Sequence, residues 1–406
     1  MPARRDRRTA ADVMRKRVLL VPDGMADESQ AALGGRTPLE AADTPCMDGL
    51  ARGGVVGLVR TIPEGMAAGS DVANLAVLGY DPAAVFSGRS PLEAASIGVE
   101  LGPGDVSYRC NFVTIVDGAM KDHTAGNIGN EEARRLIAAL QAALGGGPFE
   151  FHTGVSYRNL LVWRGGELVP CTPPHDILDR AVDGYAPGVA LAGGAPPSPS
   201  GQTLADLQAR AHEVLAPLRP GTDIWLWGEG RAPRMPRFSE LYGLSGAVVG
   251  AVDLVRGIGR LAGLDVIDVP GATGGLDTDY GAKARAAVAA LDDHDLVWVH
   301  VEAPDEAAHM GDLRAKVGAI ERVDAEVLAP ILSAPRRPAV MVLPDHHTHL
   351  STRTHADPPV PFVVSEPLPG SGGGGAMTFC EADAAATGLL VAGGAELMRL
   401  FLEATG

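Results

Sequence analysis

Arg17-Val-Leu-Leu-Val-Pro22 runs straight into Asp23-Gly24, and this stretch decides the fold class. From Val18 to Pro22 the run is apolar at every position. A strand with both faces covered, as in a parallel sheet, looks like this; a half-exposed strand would alternate. The same design returns late in the chain. Leu296-Val-Trp-Val-His-Val301 runs toward Asp305, and Ala339-Val-Met-Val-Leu343 runs into Pro344-Asp345. Shorter stretches at 224–227, 248–251 and 265–269 read as further sheet strands. Residues 281–291 and 314–328 read as helices between them, 38–52 as an earlier helix, and 71–78 as a helix capped by Ser70. Residues 86–218 differ in character. Strands at 108–116 and 159–163 accompany one strong helix at 130–144, and a Gly/Pro/Ser-rich loop at 193–201 closes the segment. The expected architecture is therefore α/β. A core with a mostly parallel sheet and helices on both faces is built from 18–85 and 219–406, and a smaller α+β domain, 86–218, is inserted into it. Residues 1–17 read as a disordered extension, with Met14 as an alternative start, and 370–375 as a flexible loop.

Composition narrows the function classes. The chain has 406 residues, 46% of them hydrophobic and 21% charged, which is ample for a packed core and unlike a disordered or fibrous chain. Its formal net charge of −16 argues against binding nucleic acid or an anionic membrane. No apolar run reaches the roughly 18 residues of a membrane span. Cys46, Cys110, Cys171 and Cys380 are scattered without a CxxC pair, which fits reduced thiols in a cytoplasmic protein. The basic N-terminus lacks the apolar stretch of a signal peptide.

The chemistry gathers where the strands end. Six of the eleven histidines fall between 300 and 355, in the company of Asp305 and Asp345. Asp305 and His309 stand four apart on an expected helix, so both share one face. Asp345 and His346 are presented together at a strand tip, His355 follows in the next loop, and Asp23 ends the first strand. Ligands in open parallel sheets bind outside the carboxyl ends of the strands, so three such tips converge on one crevice. One Asp at one tip reads as a turn residue; three tips together read as a metal centre. Mixed imidazole and carboxylate donors suit Mn²⁺ or Zn²⁺ better than Ca²⁺, and there are enough for a pair of ions that clamps a phosphoryl group. Ser70, a plain cap when read alone, becomes the candidate nucleophile beside such a centre. Lys283 is a candidate point charge for transferring oxygens. His347 and His349 read as outer or surface residues, and His152, His212, His294 and His300 as structural.

Taken together, the motifs resemble the 2,3-bisphosphoglycerate-independent phosphoglycerate mutases of the archaeal type, in the alkaline phosphatase superfamily. They run in order from Val-Pro-Asp23-Gly-Met-Ala-Asp, through Gly69-Ser70-Asp-Val-Ala-Asn, Phe86-Ser-Gly-Arg89-Ser-Pro-Leu-Glu, Tyr108-Arg-Cys-Asn-Phe-Val and Asp122-His-Thr-Ala-Gly126. Tyr157-Arg-Asn-Leu-Leu-Val, Pro174-His-Asp176 and Trp227-Gly-Glu-Gly-Arg-Ala-Pro233 follow. Val269-Pro-Gly-Ala-Thr-Gly274, Asp305 to His309, Asp345-His346 and His355 complete the set. The resemblance implies one metal on Asp305, His309 and His355 and a second on Asp23, Ser70, Asp345 and His346. The family metal is typically manganese, with magnesium, zinc or cobalt in some members. It implies that Ser70 becomes phosphorylated with help from Lys283, interconverting 3-phosphoglycerate and 2-phosphoglycerate. The inserted domain would act as a lid whose Arg109, His123 and Arg158 hold the glycerate carboxylate or act as acid and base on its hydroxyls, with Arg89 as a further anion-binding candidate or a structural arginine. The alternative within the same chemistry is a phosphotransferase or phosphatase for another small metabolite. A homoserine kinase-like activity is one example, although the chain has no Walker-type phosphate loop.

Overall fold

A computed structural model describes residues 15–188, 198–368 and 376–405 of the chain. The expected N-terminal extension up to 14, most of the 193–201 loop and the 370–375 loop lie outside the described residues. In chain order the strands are β1 (Arg17–Pro22), β2 (Val55–Val59), β3 (Val106–Val116), β4 (Ala119–Asp122), β5 (Phe149–Val155), β6 (Arg158–Trp163) and β7 (Thr222–Arg231). They continue with β8 (Gly246–Val249), β9 (Asp265–Val266), β10 (Leu296–Val301), β11 (Ala339–Val342), β12 (His347–His349), β13 (Thr354–Ala356), β14 (Val360–Val364) and β15 (Leu390–Val391). The chain forms two compact units, Met1–Phe86 with Met235–Gly406, and Ser87–Arg234.

The larger unit is built on an eight-stranded sheet in the order β15-β2-β14-β11-β1-β10-β8-β9. Only β14 runs against its neighbours, so the sheet is mostly parallel. The all-apolar strands β1, β10 and β11 are buried throughout and sit side by side at its centre. Alternation divides each strand between two faces. Val18 and Leu20 of β1 and Val297, Val299 and Val301 of β10 share one core cluster with Ala284, Ala287 and Leu291 at one helix and Ile320, Val323 and Val327 at another. The expected disordered extension to residue 17 is corrected at its last residue. Arg17 opens β1, is buried, and donates from Nη2 to the Thr405 carbonyl at 2.7 Å. The expected helix 38–52 is two helices, Pro38–Ala41 and Pro45–Gly53, because proline supplies no N–H and pushes the residue before it out of helical geometry. The expected helix 314–328 is an α-helix, Leu313–Arg322, that widens into a π-helical turn, Val323–Leu328. There Asp324 accepts the Met47 and Cys46 N–H groups.

The smaller unit is an antiparallel sheet in which β3 pairs with β4, β6 and β7, and β6 pairs with β5. One face packs on two helices, Asn130–Leu144 and Pro199–Leu215, through Leu136, Leu140, Leu204 and Leu207. The second helix begins inside the expected loop 193–201, with the Ser198 hydroxyl accepting the Gly201 N–H. The stretch 224–227, expected in the core sheet, is part of β7 and belongs here. Its Ile224 and Leu226 fill the helix-covered face, whereas Trp225 and Trp227 fill the opposite one. The segment 219–234 therefore lies with the smaller unit, not with the core as expected. Among the described residues no helix is long and apolar enough to cross a membrane.

A partly buried ion pair helps hold the smaller unit together. Arg164 Nη1 donates to Asp105 Oδ2 at 2.6 Å, and the N–H groups of Gly102 and Gly165 also reach that carboxylate. Burial opposes its charge, but those bonds win and hold Asp105 below its ordinary pKa. A depressed carboxyl stabilises the fold above its unfolded pKa of about 3.9 and loses that contribution as pH falls through the folded value. Asp105→Asn is expected to cost about 2 kcal/mol at neutral pH. The gap to the unsubstituted protein should close below about pH 4, as read by urea unfolding at several pH values. A pH-independent gap would refute this account.

Candidate active site

The order β11-β1-β10 places three parallel carboxyl ends next to one another, about 4.8 Å apart from strand to strand. Asp23 leaves β1 with its N–H bonded to the Val301 carbonyl at the end of β10. Beyond β10, the helix Ala303–Met310 carries Asp305 in its first turn and His309 in its last. Beyond β11, Leu343-Pro344 leads to Asp345 and His346, and the β12–β13 hairpin brings back His355. Gly24, at φ +58°, makes the approach possible, since a Cβ there would stand 2.5 Å from both Asp305 Oδ1 and Thr348 Oγ1.

All the expected ligands meet. His309 Nε2 lies 3.2 Å from Asp305 Oδ2 and 3.0 Å from His355 Nε2, and His355 Nε2 lies 3.6 Å from Asp305 Oδ1. His346 Nε2 lies 3.5 Å from Asp23 Oδ1, 3.4 Å from Asp345 Oδ2 and 3.0 Å from Ser70 Oγ. Two groups have their donor atoms within 4.8 Å of one another: Asp305 with His346 and His355, and Asp23 with His300 and Asp345. His300 corrects its reading as structural. It is the penultimate residue of β10, and its Nε2 faces Asp23 Oδ2 at 3.3 Å. Position in the strand carried the missing signal, because alternation turns it away from Val299 and Val301 and onto the face of Trp298.

Ser70 is not a cap. Gly69 takes the cap position and Ser70 is the first residue of the helix Ser70–Val77, which leaves its hydroxyl free to face His346. Asn74, one turn on, donates to the Ser70 carbonyl at 2.9 Å and to Asp345 Oδ2 at 2.7 Å, locking that turn to the β11 tip. Lys283 is buried, with its ammonium on the His300 carbonyl at 3.1 Å. Burial pushes it down to about 8, against the pull of Glu302. His347 is buried, with Nε2 facing the Pro359 carbonyl at 3.3 Å.

The electrostatics call for cations. Burial first, then Asp345, Asp305 and Glu302, push the Asp23 carboxyl far above its usual range. Burial, then Asp305, does the same to Glu302. Burial drives His300 down to about 4 and also lowers His346, whereas its bond to Asp305 lifts His309 to about 9. Both Asp23 oxygens and His300 Nε2 are buried without a hydrogen-bond partner. Unpaired buried groups of this kind are costly unless something occupies the space between them. A nitrogen-and-oxygen donor set of this composition fits divalent transition ions, so the site passes as a metal centre by its chemistry.

In the smaller unit, Arg109 of β3 stands opposite Trp227 of β7 and lays its guanidinium 4.3 Å from that ring. Its Nε is 3.0 Å from Glu93 Oε2, and Arg89 reaches the same carboxylate at 3.6 Å. Neither contact is angled as a hydrogen bond, so both Nε atoms, like Trp227 Nε1, are buried donors without acceptors. His123 stands between Tyr157 and His175, at ring distances of 6.2 and 6.1 Å, and His175 packs edge-on against Trp227 at 5.2 Å. Arg158 lies over Tyr157 at 5.8 Å and is exposed. Of the four expected residues, Arg109 and Arg158 lie on the paired strands β3 and β6, Arg89 precedes the helix Ser90–Ser96 and His123 follows β4; Trp227 packs on Arg109 and His175 on His123.

A profile of the 2,3-bisphosphoglycerate-independent phosphoglycerate mutase family matches residues 51–217. The chain is 47% identical to the protein of that name from Methanothrix thermoacetophila, over 86% of this chain and 90% of the relative. The chain belongs to this family. Another member, a probable 2,3-bisphosphoglycerate-independent phosphoglycerate mutase from Geobacter sulfurreducens, is 47% identical over 96% of this chain and all of the relative. The solved cofactor-independent phosphoglycerate mutase from Thermoplasma acidophilum superposes with a TM-score of 0.66 at 27% identity, covering 97% of this chain and all of that one.

Ion binding to the folded state alone stabilises it by about 2.7 kcal/mol at a hundred times the dissociation constant. Adding Mn²⁺ or Zn²⁺ to chelator-stripped protein is therefore expected to raise Tm by a few degrees in calorimetry. An unchanged Tm at saturating metal would count against the centre.

Proposed function

We propose that this family member interconverts 3-phosphoglycerate and 2-phosphoglycerate through a phosphoserine on Ser70, with two divalent ions, manganese foremost, in the centre. The observation that carries this reading is the Ser70 hydroxyl, 3.0 Å from His346 Nε2 at the edge of a buried set of carboxylates and imidazoles. Asp305, His309 and His355 would hold one ion, and Asp23, Asp345 and His346, with Ser70 and the added His300, the other. When bound, the ions supply the charge that makes a serine hydroxyl nucleophilic near neutral pH and offsets a phosphate dianion.

The chain's own residues define the rest. Ser70 Oγ attacks phosphorus as the bond to the 3-oxygen of glycerate breaks, so the serine proton is released and the 3-oxygen regains one. Glycerate then presents its 2-hydroxyl, whose oxygen bonds phosphorus as the Oγ–P bond breaks; the 2-hydroxyl proton is released and Ser70 Oγ regains one. The smaller unit supplies the cations that retain glycerate between the two transfers. The Arg89 and Arg109 guanidiniums, whose Nε atoms face Glu93, suit a carboxylate, and His123 and Arg158 would hold it or act as acid and base on the glycerate hydroxyls. Retention matters because water reaching the phosphoserine would convert the reaction to hydrolysis. Lys283 acts from below, through the His300 carbonyl. The four free thiols support a cytoplasmic location.

Metal-loaded protein with 3-phosphoglycerate, coupled to enolase and assayed in parallel for free phosphate, tests the reaction. Enolase signal without phosphate release is expected; phosphate release alone would make the protein a phosphatase. Ser70→Ala is expected to lower kcat by on the order of 10³-fold or more while metal content by elemental analysis stays near two ions. Near-normal turnover would remove the serine from the mechanism. Arg158→Ala is expected to raise KM about tenfold, the equivalent of one charge-assisted hydrogen bond, with metal content unchanged. An unchanged KM would exclude that side chain from substrate binding.

A further inference from the structure

The geometry points to Thr348 as a positioning residue that orients His346 and Asp305 together for metal binding, an inference that rests on the metal-centre part of the proposed function. Thr348 is fully buried in the middle of β12. It pairs across the hairpin with His355, so three ligands surround it: His355 by register, Asp305 and His346 by direct contact. Its hydroxyl donates to Asp305 Oδ1 at 2.6 Å and stands 3.2 Å from His346 Nδ1.

A hydroxyl has a single proton to give. Asp305 Oδ1 takes it, so what Thr348 turns toward His346 is a lone pair. The His347 carbonyl also faces Nδ1, at 3.2 Å. An unprotonated Nδ1 would confront two oxygen lone pairs. A proton on Nδ1 answers both oxygens, and Nε2 then keeps its lone pair for an ion shared with Asp23 and Asp345, which lie 3.5 and 3.4 Å from it. One side chain thereby selects the ligating tautomer of one residue and the carboxylate orientation of another, and these two residues lie in the same donor group.

The main chain of Thr348 is held just as firmly. Its N–H bonds the Ala26 carbonyl at 3.1 Å, and its carbonyl accepts from the buried Lys316 ammonium at 2.7 Å. Lys316 in turn pairs with the buried Asp27 at 2.7 Å. Those contacts anchor the backbone, and the hydroxyl is the group on Thr348 that reaches both Asp305 and His346.

Thr348→Val keeps shape and removes the hydroxyl, and Thr348→Ser keeps the hydroxyl and removes the methyl. Chelator-stripped proteins titrated with Co²⁺ and followed by visible absorption give affinity and coordination in one measurement. The Val variant is expected to bind cobalt 10- to 100-fold more weakly, in the range seen when a ligand's outer hydrogen-bond partner is removed, and to show an altered d–d band. The Ser variant should stay within about threefold of the unsubstituted protein with the original band. Metal-free Tm monitors the fold; if Val does not fold, Thr348→Ala compared with Thr348→Ser isolates the hydroxyl. Unsubstituted-like cobalt binding by the Val variant would overturn the role of Thr348 alone, as would equal weakening in Val and Ser. A lack of cobalt binding by the unsubstituted protein would overturn the metal centre and this inference together.

Discussion

Like charges brought out of water at one spot are the constraint on which the site depends. Asp23, Asp305 and Asp345 are buried, and Glu302 is nearly so. Four carboxyl groups at adjacent strand tips repel one another and lose hydration together. Imidazoles offset part of this, as the Asp305–His309 pair shows, because burial opposes the Asp305 charge and yet its bonds to His309 and His355 hold it well below its usual value. Asp23 receives no such bonds. The asymmetry marks Asp23 as the carboxyl with the greatest need of a neighbouring cation.

That constraint is met only because the sheet fixes register. β1 pairs in parallel with β10 from Arg17↔Leu296 to Pro22↔Val301 and with β11 from Arg17↔Ala339 to Leu20↔Val342. A slip of one residue in either pairing would turn His300 toward the helix-packed face or draw Asp345 away from Asp23. The apolar strands therefore do more than fill a core, since their burial on both faces supplies the rigidity that ligand spacing requires.

The central strands, and the gathering of aspartates and histidines at their ends, were legible because both depend on local signals. Unbroken apolar runs of strand length, each ending near an aspartate, announce themselves without any knowledge of partners. His300 was not legible in this way. A histidine inside an apolar run looks like a tolerated core residue, and only the pairing of β10 beside β1 shows that it faces Asp23. The strand 224–227 failed for a related reason, because its apolar pattern is the same whichever sheet it joins. What decides its place is the long-range match to β3, where Arg109 meets Trp227. Ser70 was found as a residue and misplaced as a cap, since the extended backbone of Gly69 assumes that position and one residue of shift redirects the hydroxyl.

Lys283 sits differently from its expected use. A point charge for transferring oxygens would have to face the serine. Its ammonium instead bonds the main chain of His300, beneath the carboxylates. Burial lowers its pKa to about 8, and Glu302 works in the opposite direction. A cation held there polarises the strand end from within the protein and is coupled to Glu302, whose own Oε2 faces His300 Nδ1 at 3.9 Å. The Lys283 ammonium thus lies on the inner side of the donor set, against the His300 carbonyl. The outer side, where Ser70, His309 and His355 are only partly buried, is left for charges that arrive from solution.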